Sequence, residues 1–227
     1  MKLYQHPLSG PCRIVSTTAE YCGVTLEKQN IDVQGGEHRS EEYRKINPKG
    51  HIPTLEDGEL KVIESISAAR YICTVKGGEK GLQLYPGDKP RELAKVNEAL
   101  GSFNDYRTIG GAVAMTKFWA PLMKRPTAPA PLAEAVEARF KDENDKLNTF
   151  LGADRKYLVL NRLTLADIAF VEFWINIQGI IGFDWAANYP NVLRYTNGIM
   201  EELPNIKTNG LNFVNEMMEK MKANPPQ

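Results

Sequence analysis

Ser9-Gly10-Pro11-Cys12-Arg13 places a hydroxyl and a thiol at the start of what reads as a helix. Pro11 suits the first turn of a helix, where its missing N–H is no loss. Unpaired backbone N–H groups and the positive end of the helix dipole point at that junction, so an anion there is stabilised. The Ser9 hydroxyl can donate one more hydrogen bond to such an anion, or it can be a plain N-terminal cap. Cys12 sits in the same field, which lowers a thiol pKa; a lone cysteine is more often a small buried hydrophobe. Glu64-Ser65 opens a second helix start. Its N–H groups and hydroxyl suit a carboxylate, and Glu64 suits an ammonium, so the pair suits the head group of an amino acid. The alternative is a simple capping pair. Between these two lies Lys49-Gly50-His51-Ile52-Pro53-Thr54. A proline opening a strand removes a backbone donor and suits a cis bond in a tight turn. The N–H and C=O of Ile52 would then face outward, where an extended peptide pairs as an added strand. The alternative is an edge proline that blocks aggregation. His38, Lys49 and His51 add positive or donor groups in loops of the same half, each of which alone reads as solvated.

The rest of the composition removes several other chemistries. The chain has 227 residues, 42% apolar and 25% charged, the range of ordinary globular proteins. Lysine plus arginine and aspartate plus glutamate are each 28, and residues 1–80 carry 11 of each sign. Nucleic-acid and membrane-surface binders show a basic excess or stripe, so neither partner is expected. No G-x-G-x-x-G, phosphate loop or G-x-S-x-G elbow occurs, so nucleotide binding and a serine hydrolase lack support. Cys12, Cys22 and Cys73 are odd in number with no CxxC, and only three histidines are present. Neither a disulfide framework nor a metal site is expected, and the compartment reads as reducing. The first residues lack an apolar leader segment, and the longest uncharged apolar stretch, Phe173–Phe183, is 11 residues, too short to span a bilayer. A cytoplasmic location follows as the expectation.

Two kinds of element must position the candidate residues. Residues 1–76 alternate short strands and helices: Lys2–Tyr4, a helix from Pro11 to Tyr21 stopped at Gly23, a strand over Thr25–Val33, and a helix over Ser40–Ile46 capped by Ser40. Then come Ile52–Glu56 and Leu60–Ile63 around Asp57-Gly58, a hairpin signal, and a helix over Ile66–Val75. The order β-α-β-α-β-β-α predicts a small mixed sheet with helices on its faces. Glycines at 77, 78, 81 and 87 with Pro86 and Pro90 read as a linker. The remainder is helical. Leu93, Val96, Leu100, Phe103, Tyr106, Ile109 and Val113 form one apolar stripe on a long helix, with Gly110-Gly111 a place to bend. Four prolines between Pro121 and Pro131 break it; Leu132, Val136, Phe140, Leu147 and Leu151 mark the next helix. Thr164-Leu165-Ala166-Asp167 is a capping signature that opens a helix apolar nearly all round, expected at the centre of this half. Shorter helices follow Pro190 and Pro204, the last with Leu211, Val214, Met217, Met218 and Met221 inward.

In this order and spacing the motifs resemble a cytosolic glutathione transferase of theta/delta type. Ser9-Gly10-Pro11-Cys12-Arg13, Asn47-Pro48 with Ile52-Pro53-Thr54-Leu55, Glu64-Ser65 with Tyr71-Ile72, and Leu163 to Asp167 carry the resemblance. It implies a thioredoxin-like N-terminal domain over residues 1–79, a linker over 80–90, and an all-helical domain over 91–227 that lines an electrophile pocket. It also implies roles. Ser9 stabilises the glutathione thiolate; Ile52, before a cis Pro53, pairs with the cysteinyl backbone; Glu64 and Ser65 hold the γ-glutamyl end. His38 and the Lys49–His51 loop reach the glycyl carboxylate. That loop departs from the family, whose delta-type members often carry a His where Gly50 stands and whose theta-type members carry a Lys where His51 stands. Tyr106, Met115, Phe118 and Trp119, with Phe103, are candidates for the electrophile wall, although Phe103 and Tyr106 lie on the stripe and fit the core as well. The resemblance implies glutathione as co-substrate with no other cofactor, small hydrophobic electrophiles, and a homodimer. The apolar residues on more than one side of the Ile66–Val75 helix agree with a dimer. Two alternatives stay open: a Cys12-dependent thiol transferase, and a non-catalytic glutathione or ligand carrier.

Overall fold

The computed structural model describes residues 1–181 and 183–223. Strands β1 (Lys2–Gln5), β2 (Glu27–Asn30), β3 (Thr54–Asp57) and β4 (Leu60–Val62) form one sheet in the order β2-β1-β3-β4. β1 and β2 are parallel; β1–β3 and β3–β4 are antiparallel. Parallel neighbours need a crossover, and α1 (Gly10–Tyr21) supplies it. The strand expected over Thr25–Val33 is shorter, because β1 offers only four partners, Lys2 to Gln5 facing Glu27 to Asn30. The hairpin turns at Gly58, whose φ of +60° favours glycine.

Helix α2 (Glu41–Ile46) begins at Ser40, whose hydroxyl accepts from the Tyr43 N–H at 3.1 Å. Helix α3 (Ser65–Val75) lies beside α1, and Ala68 and Ile72 close a core with Leu3, Val15, Ala19 and Leu55. The segment read as linker is not irregular at its start. It folds as α4 (Gly78–Leu84) against α3. A Cβ on Gly81 would stand 2.0 Å from the Cys73 carbonyl oxygen, so the glycine here permits close helix packing and does not loosen the chain.

The second half is helical among the described residues. Helix α5 (Pro90–Ala114) runs on through a π-helical turn, Met115–Trp119, into α6 (Ala120–Leu122). Pro121 therefore does not end the path; it occupies the first turn of α6. The other helices are α7 (Ala130–Leu151), α8 (Leu165–Gln178), α9 (Trp185–Asn188), α10 (Pro190–Glu202), a π-helical segment Ile206–Asn212, and α11 (Phe213–Ala223). Leu132, one of the residues that mark this helix, is 55% exposed; Phe140 and Leu151 carry the inner face of α7. Helix α8 is central as its composition predicts, packed on α1, α5 and α10, with Leu165 through Ile175 all buried. Residues 224–227 of the expected helical domain lie outside the described residues. No helix among the described residues is long and apolar enough to cross a membrane.

Candidate functional site

Ser9 is the residue that caps α1. Its backbone is extended, with φ −82° and ψ 112°, and its side-chain oxygen accepts from the Cys12 N–H at 3.4 Å. Capping uses a lone pair and leaves the O–H free to donate. The bland and the functional readings of Ser9 are therefore compatible. Cys12, one turn on, is fully buried, and burial pushes its thiol up to about 11. At neutral pH it is a neutral core group, despite its place in the helix field.

The N-terminus of α3 differs. Glu64 is its N-cap residue, extended at φ −115°, yet no side chain caps the helix. The expected alternative, a capping pair, is not what Glu64 and Ser65 form. The first-turn N–H groups and the Ser65 hydroxyl are left for an anion. Glu64 instead takes a 2.8 Å hydrogen bond from the Lys49 ammonium, with both side chains more than half exposed. Such pairs contribute only about 0–1 kcal/mol and are easily replaced by a charged ligand.

The Ile52–Pro53 bond is cis, and Pro53 is buried. Among the described residues the N–H and C=O of Ile52 pair with no other group. The loop ahead of it is braced by Tyr43, not singled out from the sequence, and by Asn47 of the Asn47-Pro48 motif. The His51 carbonyl accepts from Tyr43 Oη at 2.9 Å and from Asn47 Nδ2 at 2.7 Å. Both side chains also reach the Thr54 hydroxyl at 3.1 Å. The His51 ring is thereby left exposed while its backbone is fixed. Gly50, at φ +61°, brings this loop against His38: a Cβ there would stand 2.9 Å from the His38 carbonyl oxygen. Burial, then the charges of Arg39 and His51, hold the His38 pKa below the usual value. Its Nδ1 is buried with no partner among the described residues. Lys49 is thus paired with Glu64, and the Gly50 turn sets the Lys49–His51 loop against the His38 backbone.

The aromatic candidates separate into two groups. Tyr106 is 5% exposed, donates to Asn144 Oδ1 at 2.9 Å, and packs on Phe140, Phe170 and Phe173. The structure places it, with Phe103, in the helical core. Both border a cavity of about 590 Å³ between α5, α7 and residues 155–160, which none of the N-terminal candidates lines. Met115, Phe118 and Trp119 stand together on the π-helical turn. Met115 is 49% exposed, and Phe118 and Trp119 meet edge to face at 5.0 Å.

Four further residues surround the Ser9 loop. Arg13 and Glu172 form a buried ion pair at 2.7 Å, joined by Thr17 and Asn176. The signal in the sequence was Glu172 itself, a charge inside the otherwise apolar run of α8.

The fold that carries these features, with a hydroxyl at one helix entrance, an uncapped second helix start and an open Ile52 backbone, is shared by known proteins. The family model of the glutathione S-transferase N-terminal domain matches residues 1–74, and that of the C-terminal domain matches residues 112–202. Among solved structures, a delta-class glutathione transferase of Nilaparvata lugens is 26% identical, with 98% of each chain covered and a TM-score of 0.81. A Bombyx mori glutathione transferase is 25% identical over 92% of each chain, with a TM-score of 0.78. A human theta-class glutathione transferase, solved with the glutathione conjugate of 1-menaphthyl sulfate, is 25% identical, covering 97% of this chain and 91% of that chain at a TM-score of 0.79. Both family models are met in sequence order and the likeness to solved enzymes runs nearly end to end, so this chain belongs to the glutathione S-transferases, of the delta/theta type.

Proposed function

We propose that this transferase ionises glutathione with the Ser9 hydroxyl and adds the thiolate to small apolar electrophiles. A free thiol with a pKa of about 8.5 is only a few per cent ionised at neutral pH. Ser9 carries the reading: its oxygen takes the Cys12 N–H, which leaves its O–H able to donate at the entrance of α1. The thiol proton leaves to solvent first; the thiolate sulfur then bonds to the electrophilic carbon while that carbon's bond to its leaving group breaks, the group departing to solvent with the bonding pair. The Ile52 backbone pairs with the cysteinyl unit. Glu64 and the open start of α3, with Ser65, hold the γ-glutamyl ammonium and carboxylate, displacing the Lys49–Glu64 pair. Lys49, His38 and His51 then face the glycyl carboxylate. Met115, Phe118 and Trp119 are the proposed apolar wall. The protein works as a cytoplasmic homodimer, with no cofactor besides its co-substrate.

The burial of Cys12 opposes the thiol-transferase alternative, because a neutral, enclosed thiol is a poor nucleophile. The test is Ser9→Ala. A hydrogen bond to a charged group contributes roughly 1.5–3 kcal/mol, or about one to two pKa units in the bound thiol. Glutathione should still bind with similar affinity, the rate near neutral pH should fall about ten- to a hundredfold, and much of it should return at higher pH. Activity lost in Cys12→Ala but kept in Ser9→Ala would establish the rival mechanism. No thiolate in the wild-type binary complex would leave a carrier.

A further inference from the structure

The loop that carries Ser9 is held from the helical half of the molecule. The Pro7 carbonyl accepts from Arg13 Nη1 at 3.0 Å, and the Leu8 carbonyl accepts from Asn176 Nδ2 at 3.0 Å. Arg13 also donates to Glu172 Oε2 at 2.7 Å, to the Glu172 carbonyl at 2.8 Å and to Asn176 Oδ1 at 2.6 Å. Thr17 donates to the other carboxylate oxygen of Glu172. Arg13 is 5% exposed and Glu172 is 1% exposed. Both peptide carbonyls that precede Ser9 therefore end, directly or through Arg13, on two side chains of α8.

The space around this network is kept clear by glycine on the α1 side. A Cβ on Gly10 would stand 3.0 Å from the Glu172 carbonyl oxygen. On the other side Gly210 packs in ordinary contact with the pair: a Cβ there would stand 3.5 Å from Glu172 Oε2 and 3.6 Å from Arg13 Nε. A buried ion pair is poor value as a stabiliser, since well-packed apolar residues of the same volume do as well or better. What it supplies is direction. The planar guanidinium fork fixes its acceptors in angle as well as distance, and a donor to a developing anion must be held within about 0.5 Å of its working place.

We propose that Glu172 and Asn176 are positioning residues that fix the Ser9 hydroxyl, through Arg13 and the Pro7–Leu8 backbone. This rests on the reading of Ser9 as the thiolate's donor. Neither residue touches the substrate. The helical half, on this account, sets the acidity of the bound thiol as well as shaping the pocket.

Titration of thiolate absorbance in the glutathione complex, with kcat and KM across pH, tests it in the full-length protein. The variants are Ser9→Ala, Asn176→Ala, Asn176→Asp, Glu172→Gln and the double variant Ser9→Ala/Asn176→Ala. Asn176→Ala should raise the pKa of the bound thiol and cut kcat near neutral pH about tenfold, with recovery at higher pH and the KM for glutathione within about twofold. Asn176→Asp keeps an acceptor for Arg13 but cannot donate to Leu8, and should behave like the alanine variant. In the Ser9→Ala background, Asn176→Ala should add less than about twofold, because the two act through one hydroxyl. Circular dichroism identifies folded variants. Where Glu172→Gln does not fold, Asn176→Ala carries the test, since it leaves the Arg13–Glu172 pair in place. An unshifted thiol titration in folded Asn176→Ala, or an equal loss in both backgrounds, overturns the proposal. An unchanged titration in Ser9→Ala removes the Ser9 reading, and this one with it.

Discussion

Asp167 and Glu172 are buried carboxylates on the same helix, 0% and 1% exposed, yet they are answered in opposite ways. Asp167 is met by neutral donors of its own half: the Leu158 and Thr164 N–H groups and the Thr164 and Tyr195 hydroxyls, all at 2.8 Å. Glu172 is met by a cation from the sheet half, with Thr17 and Arg13 both on α1. Burial raises the pKa of both groups first of all. The difference teaches where each charge does its work. Asp167 closes the start of α8 and serves only the helical half. Glu172 spends its charge on the boundary and thereby reaches the Ser9 loop.

Removing each partner separates the two roles. Glu172→Ala leaves the Arg13 guanidinium buried without its counter-charge and should lower stability by about 3–5 kcal/mol in urea unfolding. The double variant Arg13→Met/Glu172→Met should recover most of that while remaining impaired in thiol ionisation. A double variant as unstable as Glu172→Ala would show that packing, and not charge, sets the cost.

Asp167 should show itself in pH dependence. Its folded pKa is pushed up to about 6, above the unfolded value of about 3.9. The native state therefore binds the proton first, and the four donors do not fully offset burial of the charge. Stability from this group is greatest below about pH 4 and declines by about 3 kcal/mol as pH rises to about 6. Between those limits the unfolding free energy of the wild type should fall more steeply with pH than that of Asp167→Asn. Parallel curves would remove the assignment.

The smallest expected effect sharpens the contrast most. Tyr195→Phe and Thr17→Val each delete one hydroxyl donor to a buried carboxylate, and each should cost about 1.5 kcal/mol. Only Thr17→Val should also raise the pKa of the glutathione thiol in the binary complex. A shift of equal size in Tyr195→Phe would mean that general loosening of α8, and not the network, governs the site.

The same contrast explains what could be read in advance. Asp167 was legible because a capping signature spans only four residues, and the cap formed as its spacing predicted. Ser40, the Gly58 hairpin and the bounds of α1 and α3 were legible for the same reason: their causes are local. Ser9, Ile52, Glu64 and Ser65 were legible as candidates from helix-start and strand-start chemistry, and their roles toward glutathione only from family resemblance; the structure pairs Lys49 with Glu64 and sets Gly50 against His38 through a glycine-dependent loop approach. Helix α4 was missed because its glycines look like breakers until the Cys73 carbonyl they make room for is in place. Glu172 was overlooked because nothing near it in the chain names its partner. The aromatic stripe on α5 could not distinguish core from pocket wall, since both want the same residues. Tyr106 was decided by Asn144, a polar residue on α7 that no stripe reveals.

The Arg13–Glu172 pair also has a history within the life of each molecule, because its members are 159 positions apart. At a synthesis rate of about 5–20 residues per second, the strand and loop that bear Ser9 emerge roughly 8 to 32 seconds before Glu172 is even made. During that interval Arg13 stays hydrated and the loop lacks its distant anchor. A nascent or truncated chain ending before α8 lacks both Glu172 and Asn176, so neither Arg13 nor the Leu8 carbonyl has its partner from α8. The Ser9 loop thus gains its distant anchor only when one of the longer loops among the described residues closes.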